Sequence, residues 1–244
     1  MAGAEAPPAR PSVPKAALAQ GLITFVTADP GAPSFRLRLA VLFPLLQARG
    51  WRCEVRQLKG WPGWRIWALR EALRSSQAVV LHKLRLDPWE ARWLHRLQGA
   101  TWYDVDDAIW LRQPKWVGHE RAPAPRRARN FAAMCAHAAV TSVGNQMLAD
   151  KALAAGGRVR IFPTAIDVLA YPPRPASQPA GQVIAWVGLP GNLKYLEPLR
   201  PVFGRLAAEF PALRLRVVSS AWPDWPELPL ERVVWSARAE IESL

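Results

Sequence analysis

Three carboxylates stand almost side by side at Asp104-Val105-Asp106-Asp107, directly behind the strand-like run TWYD. At the carboxyl end of a parallel strand, such groups face the crevice where α/β sheets bind ligands. There they can orient an acceptor hydroxyl, act as a base or hold a divalent cation. The same spacing also builds a solvated acidic turn or a helix cap. A second candidate is the loop Ala28–Ser34 leading into Phe35-Arg36-Leu37-Arg38. A Gly/Pro turn after a first strand presents backbone N–H groups, and arginine adds a bidentate contact to phosphate or carboxylate. Arg36 and Arg38 are therefore candidate acceptor-side ligands, with packing as surface stems the alternative. Val187-Gly188-Leu189-Pro190-Gly191-Asn192, with Lys194 just beyond, repeats the strand, glycine loop and helix pattern suited to a diphosphate. An ordinary βα turn has the same outline. Of the four histidines, His119 in Gly118-His119-Glu120 has the most catalytic context, and no histidine or cysteine spacing forms a metal site. No metal and no cofactor is expected.

Elements that position these residues follow from the periodicity. Apolar runs alternate with helix-like segments from Leu22 onward, the pattern of a mainly parallel sheet covered by helices. Strands are predicted at Leu22–Thr27, Cys53–Leu58, Ala78–His82, Thr101–Asp104, Ala138–Ser142 and Arg158–Phe162. An amphipathic helix is expected from Phe35 to a stop at Gly50. Another starts near Pro88 with Trp89, Trp93 and Leu97 on one face. Val105–Pro125, rich in proline and without a sustained period, reads as a long loop. A helix follows from about Arg127, another runs through Asn145–Ala155, and Gly156-Gly157 stops it. Pro172–Gly181 is the best linker. Beyond it, QVIAWVG, LRLRVVS and RVVW are strands, LKYLEPLRPVFGRLAAEF is one helix, and SARAEIESL begins another. The expected division is a flexible leader over 1–20, a Rossmann-like domain over 21–171, a linker over 172–181 and a second, incomplete domain over 182–244.

Charge narrows the partners. The chain has 244 residues and a net charge of +13. Lys/Arg and Asp/Glu balance from Gly181 onward, so the whole excess lies before it. A basic first domain suits an anionic membrane surface, an anionic substrate or nucleic acid, and equally a set of solvated arginine-rich helix faces. The charge is not interleaved with a recognisable nucleic-acid motif, so no specific nucleic acid is expected. Thirteen tryptophans include Trp61, Trp64, Trp110 and Trp116 in loop-like segments, where they can touch sugar, lipid or a partner. No apolar run approaches the ~20 residues that cross a bilayer, and the first residues lack a secretory apolar region. With two cysteines only, Cys53 and Cys135, a cytoplasmic location is expected, peripheral to the inner face of the membrane.

Several segments together resemble the GT-B type glycosyltransferases of family 4. ADPGAPSFRLR resembles the opening loop and its S-F/Y-R-x-R segment, and YDVDDAIW a Y/F-D-x-D-D-A segment. VTSVGNQMLADKAL and IFPTAID are similar to the run leading to the interdomain crossing, and IAWVGLPGNLKYLEPL to the opening of the nucleotide-binding domain. Two other families share the D-x-D. In metal-dependent single-domain sugar transferases it holds a cation, but that leaves the second unit unexplained. In haloacid-dehalogenase-like phosphatases a Thr follows, where this chain has Ala108. The resemblance implies two Rossmann-like domains and transfer of a sugar from a nucleotide-sugar to a glycan or glycolipid acceptor. It implies Asp104, Asp106 and Asp107 on the acceptor side of a catalytic cleft, and Gly188 and Asn192 beside the donor phosphates. Asn145 and Asp167 match positions near the junction. Departures are Thr164-Ala165 in place of Asn-Gly, and Ser219 in place of a Gly. The family also continues past the position of Leu244, so a truncated donor domain is expected. A non-catalytic binding module that keeps the acceptor domain is the alternative.

Overall fold

The computed structural model describes residues 21–58, 64–112, 124–165 and 183–236. The protein is α/β, and its contacts divide it into two compact units, a first that ends at Ala165 and a second that holds the described residues 183–236. The expected linker, His119 and Asp167 lie outside the described residues.

Six strands form the sheet of the first unit: β1 (Leu22–Thr27), β2 (Arg52–Gln57), β3 (Ala78–His82), β4 (Thr101–Val105), β5 (Val140–Val143) and β6 (Val159–Ile161). All pair in parallel, in the order β2-β1-β3-β4-β5-β6. Burial on both faces explains why β1 and β3 are nearly continuous apolar runs. The chain moves outward from β1 to β2, then reverses past β1 to β3. Right-handed crossovers therefore put the β1–β2 connection on one face and the later ones on the other. One face buries Phe25, Val80, Phe35 and Leu39. The opposite face buries Val79, Leu81 and Tyr103 beneath Ile66, Leu73, Leu94 and Phe131.

Prolines shape the first connection. One helix was expected from Phe35 to Gly50; the segment is instead α1 (Pro33–Arg38), a 3-10 turn (Ala40–Leu42) and α2 (Phe43–Gln47). Pro44 cannot donate to residue 40 and its ring clashes with that carbonyl, which breaks the helix. Gly50 does close the segment, at φ 83°. The second connection carries α3 (Trp64–Ala68) and α4 (Arg70–Ser75). In α5 (Pro88–Leu97) the buried stripe is Glu90, Ala91 and Leu94, while Trp89 is 55% exposed. Of the expected Trp89–Trp93–Leu97 face, Trp93 packs against the core and Trp89 turns outward, while Glu90 turns inward to accept the Asp87 N–H at 2.9 Å. Helices α6 (Pro125–His137) and α7 (Gln146–Ala154) complete the unit, and Gly156, at φ 79°, ends the latter.

The second unit is a parallel sheet of β7 (Val183–Val187), β8 (Arg214–Ser219) and β9 (Leu230–Val234), in the order β7-β8-β9. One face packs Leu215 and Val217 against Phe203 of α8 (Arg200–Glu209), with Leu196, Trp225 and Leu228. The single expected helix of this unit is two 3-10 turns, Pro190–Tyr195 and Glu197–Leu199, followed by α8. Pro198 and Pro201 interrupt its hydrogen-bond ladder. Among the described residues β7 and β9 are both edges.

Candidate functional site

Strand order reverses between β1 and β3, and the crevice at the carboxyl ends of these strands is the place where open α/β sheets take ligands. A polar row crosses the sheet at that level. Thr27 of β1 stands beside His82 of β3, His82 beside Asp104 of β4, and Asp104 beside Ser142 of β5. All four are buried. A polar row in a core survives only by internal pairing, and most of this one is paired. Thr27 Oγ1 and His82 Nδ1 are 3.1 Å apart, and the Ser142 hydroxyl donates to Asp104 Oδ1. Arg38, at the last turn of α1, reaches down to the row and its Nε donates to Asp104 Oδ2 at 2.8 Å. Its guanidinium lies 5.3 Å from the Phe162 ring centre, and its Nη1 donates to Thr164 Oγ1 at 3.5 Å.

Burial separates the three expected carboxylates. Asp104 is wholly enclosed with Arg38, so these two residues hold the floor of the crevice together. Asp106 is partly exposed and the Asp107 side chain 61% exposed; both lie beyond the end of β4 and share one cation. That cation is Lys83, 2.9 Å from Asp106 Oδ1 and 2.5 Å from Asp107 Oδ2, with Ser34 Oγ at 3.5 Å. Lys83 takes a left-handed backbone conformation, φ 52°, unusual for a side chain of this type. Its N–H donates to the Asp104 carbonyl at 2.9 Å, which ties the ends of β3 and β4. Burial pulls the ammonium pKa down, yet the hydrogen bonds and charges of Asp107 and Asp106 outweigh it and hold the pKa above the ordinary lysine value.

His82 is the residue that the sequence did not disclose. Its ring packs against Phe35 at 5.5 Å, and its Nε2 has no hydrogen-bond partner among the described residues. Burial lowers its pKa against the opposing pull of Asp104 and Asp106, which leaves a neutral imidazole. A buried ring nitrogen left open is the atom that a ligand hydroxyl or a water would satisfy. No spacing marks it, since His82 reads as the last residue of an apolar strand; only the register brings it beside Thr27 and Asp104.

The other candidates fall into separate settings. Arg36 is half-buried on α1. Asn145 caps α7, its Oδ1 accepting the Leu148 N–H at 3.0 Å. In the second unit, Gly188 follows β7 so closely under Trp186 that an added Cβ would lie 2.6 Å from the indole. The Asn192 N–H donates to the Leu189 carbonyl at 2.8 Å, and Lys194 Nζ is 5.2 Å from the Tyr195 ring centre. Ser219 ends β8, and its carbonyl accepts from the Trp235 N–H at 3.1 Å. Trp110, read from sequence as a loop residue, is buried against Phe131 at 4.8 Å. Trp64 is exposed, and Trp61 and Trp116 lie outside the described residues. Cys53 and Cys135 are both free thiols. No group of three or more His, Cys, Asp or Glu side chains is placed to hold a metal among the described residues. No helix there is long and apolar enough to cross a membrane.

No protein-family model matches the chain, and no curated protein matches it. Among solved structures it is similar to a LacI family transcriptional regulator from Arthrobacter sp. FB24 in complex with lactose. The identity is 13% and the TM-score 0.33, over 82% of this chain and 67% of that one.

Proposed function

We propose that the protein is a glycosyltransferase that moves a sugar from a nucleotide-sugar to a glycan or glycolipid acceptor, the acceptor lying against the first unit. The observation that carries this reading is the cluster of His82, Lys83, Asp106 and Asp107 at the switch point of a six-stranded parallel sheet. In the reaction the bond from the anomeric carbon to the diphosphate breaks and one to an acceptor oxygen forms. The acceptor proton needs a base, and Asp107 and the neutral His82 are the groups of this rim suited to it. Lys83 offsets one of the two carboxylate charges and fixes the spacing of the pair. Arg38 and Asp104 support the site from below. Gly188, Asn192 and Lys194 supply the donor-side turn of the second unit.

A second reading, a binding module without turnover, is favoured by the Lys83 ion pairs, which leave both outer carboxylates engaged. The two separate in one assay. The protein is titrated calorimetrically with UDP- and GDP-sugars and then incubated with glycan and glycolipid acceptors, with release of free nucleotide followed. Transfer supports the enzyme. Absence of heat with every donor, together with glycan binding, supports the module.

A further inference from the structure

The second connection of the first unit carries an aromatic surface that neither reading uses. Trp64 is 73% exposed and Trp67 49% exposed, three residues apart and so on one side of α3. Their rings meet edge to face at 5.9 Å. Arg70 lays its guanidinium over Trp67, 4.0 Å from the ring centre, and Arg74 is exposed one turn on. On the inner side Ile66 and Leu73 are fully buried, so both short helices are anchored in the core and the tryptophans cannot turn inward. Glu71, exposed and 3.7 Å from Arg70, is the acidic counterweight on α4.

We propose that Trp64, Trp67, Arg70 and Arg74 form a docking surface for an anionic lipid bilayer. Indole rings partition to the headgroup level, where an apolar body and a polar N–H are both accommodated. Arginines beside them meet lipid phosphates, and the excess positive charge that lies before Gly181 adds attraction of the same sign. A protein partner fits less well. Two indoles expose on the order of 150–250 Å² each at most, well short of the ~800 Å² that each side of a stable protein interface contributes. The proposal goes beyond the transfer reading and stands without it.

The test uses the whole chain and no sugar. Flotation with phosphatidylcholine vesicles, with and without phosphatidylglycerol, is compared for the wild type, for Trp64→Ala/Trp67→Ala and for Arg70→Gln/Arg74→Gln. Circular dichroism and thermal melting establish that each variant is folded. Binding is expected only to vesicles containing phosphatidylglycerol, at least about tenfold weaker in either double variant. Quenching of tryptophan emission by brominated acyl chains is expected to be lost on removing Trp64 and Trp67. Equal binding to neutral vesicles, no binding by the wild type, or undiminished binding and quenching in the tryptophan variant would each overturn the proposal.

Discussion

At the scale of single residues, the buried ion pair is the most sensitive point of the first unit. Arg38 and Asp104 have no solvent to fall back on, and removing one partner leaves an uncompensated buried charge. Asp104→Ala is expected to destabilise the first unit by about 3–5 kcal/mol, read as a lower denaturant midpoint. His82 makes the second prediction. Its folded pKa lies below the 6.5 of an unperturbed histidine, so the unfolded chain binds the proton more readily. The contribution of His82 to stability is therefore fully present above pH 6.5 and is lost as pH drops through the folded value. Melting temperatures between pH 7.5 and 5 are expected to decline less steeply in His82→Gln. An unchanged slope in that variant would assign the acid sensitivity elsewhere. Lys83 has the opposite sign: its raised pKa keeps its contribution intact at neutral pH and loses it only in strong alkali.

Elements rather than residues decide how the second unit meets solvent. β7 reads Val-Ile-Ala-Trp-Val, without charge or proline, and four of its five residues are exposed. An exposed apolar edge strand is a template for further pairing. Ala185 lies beside Arg216 of β8, which already pairs with Glu231 at 3.0 Å. Ala185→Glu puts a charge on the edge and opposite an arginine, where cross-strand pairs of opposite sign are favourable. The expected result is a higher concentration limit before light scattering rises, with stability changed by less than about 0.5 kcal/mol. The proline-broken segments show the same scale at work. Apolar spacing announced helices after β1 and β7, but Pro44, Pro198 and Pro201 fixed their actual lengths.

For the whole molecule, charge and topology act together. The positive excess before Gly181 predicts that vesicle association weakens as ionic strength rises through the range where the Debye length falls below about 10 Å. Flotation across a salt series checks this; salt-insensitive binding would count against a surface in which arginines meet lipid phosphates. The proposed transfer activity is tested at this scale as well. The substitution Lys83→Met is expected to lower turnover with a nucleotide-sugar by tenfold or more, as expected when a positioned charge is lost from a site. Unchanged turnover would remove the switch-point cluster from the mechanism.

By itself the sequence determined the strands, because parallel strands buried on both faces must be short apolar runs, and LITFVT and AVVLH can hardly be anything else. It also placed the Asp104–Asp107 run at a strand end and the glycine stops at Gly50 and Gly156. What it could not rank was the burial of neighbours within a run. Asp104 and Asp107 look alike in the chain, yet one lies under Arg38, 66 residues away, and the other faces solvent. His82 was hidden for the same reason, since its partners come from β1 and α1. Only the tertiary structure sets strand register, and register alone puts Thr27, His82, Asp104 and Ser142 in one row.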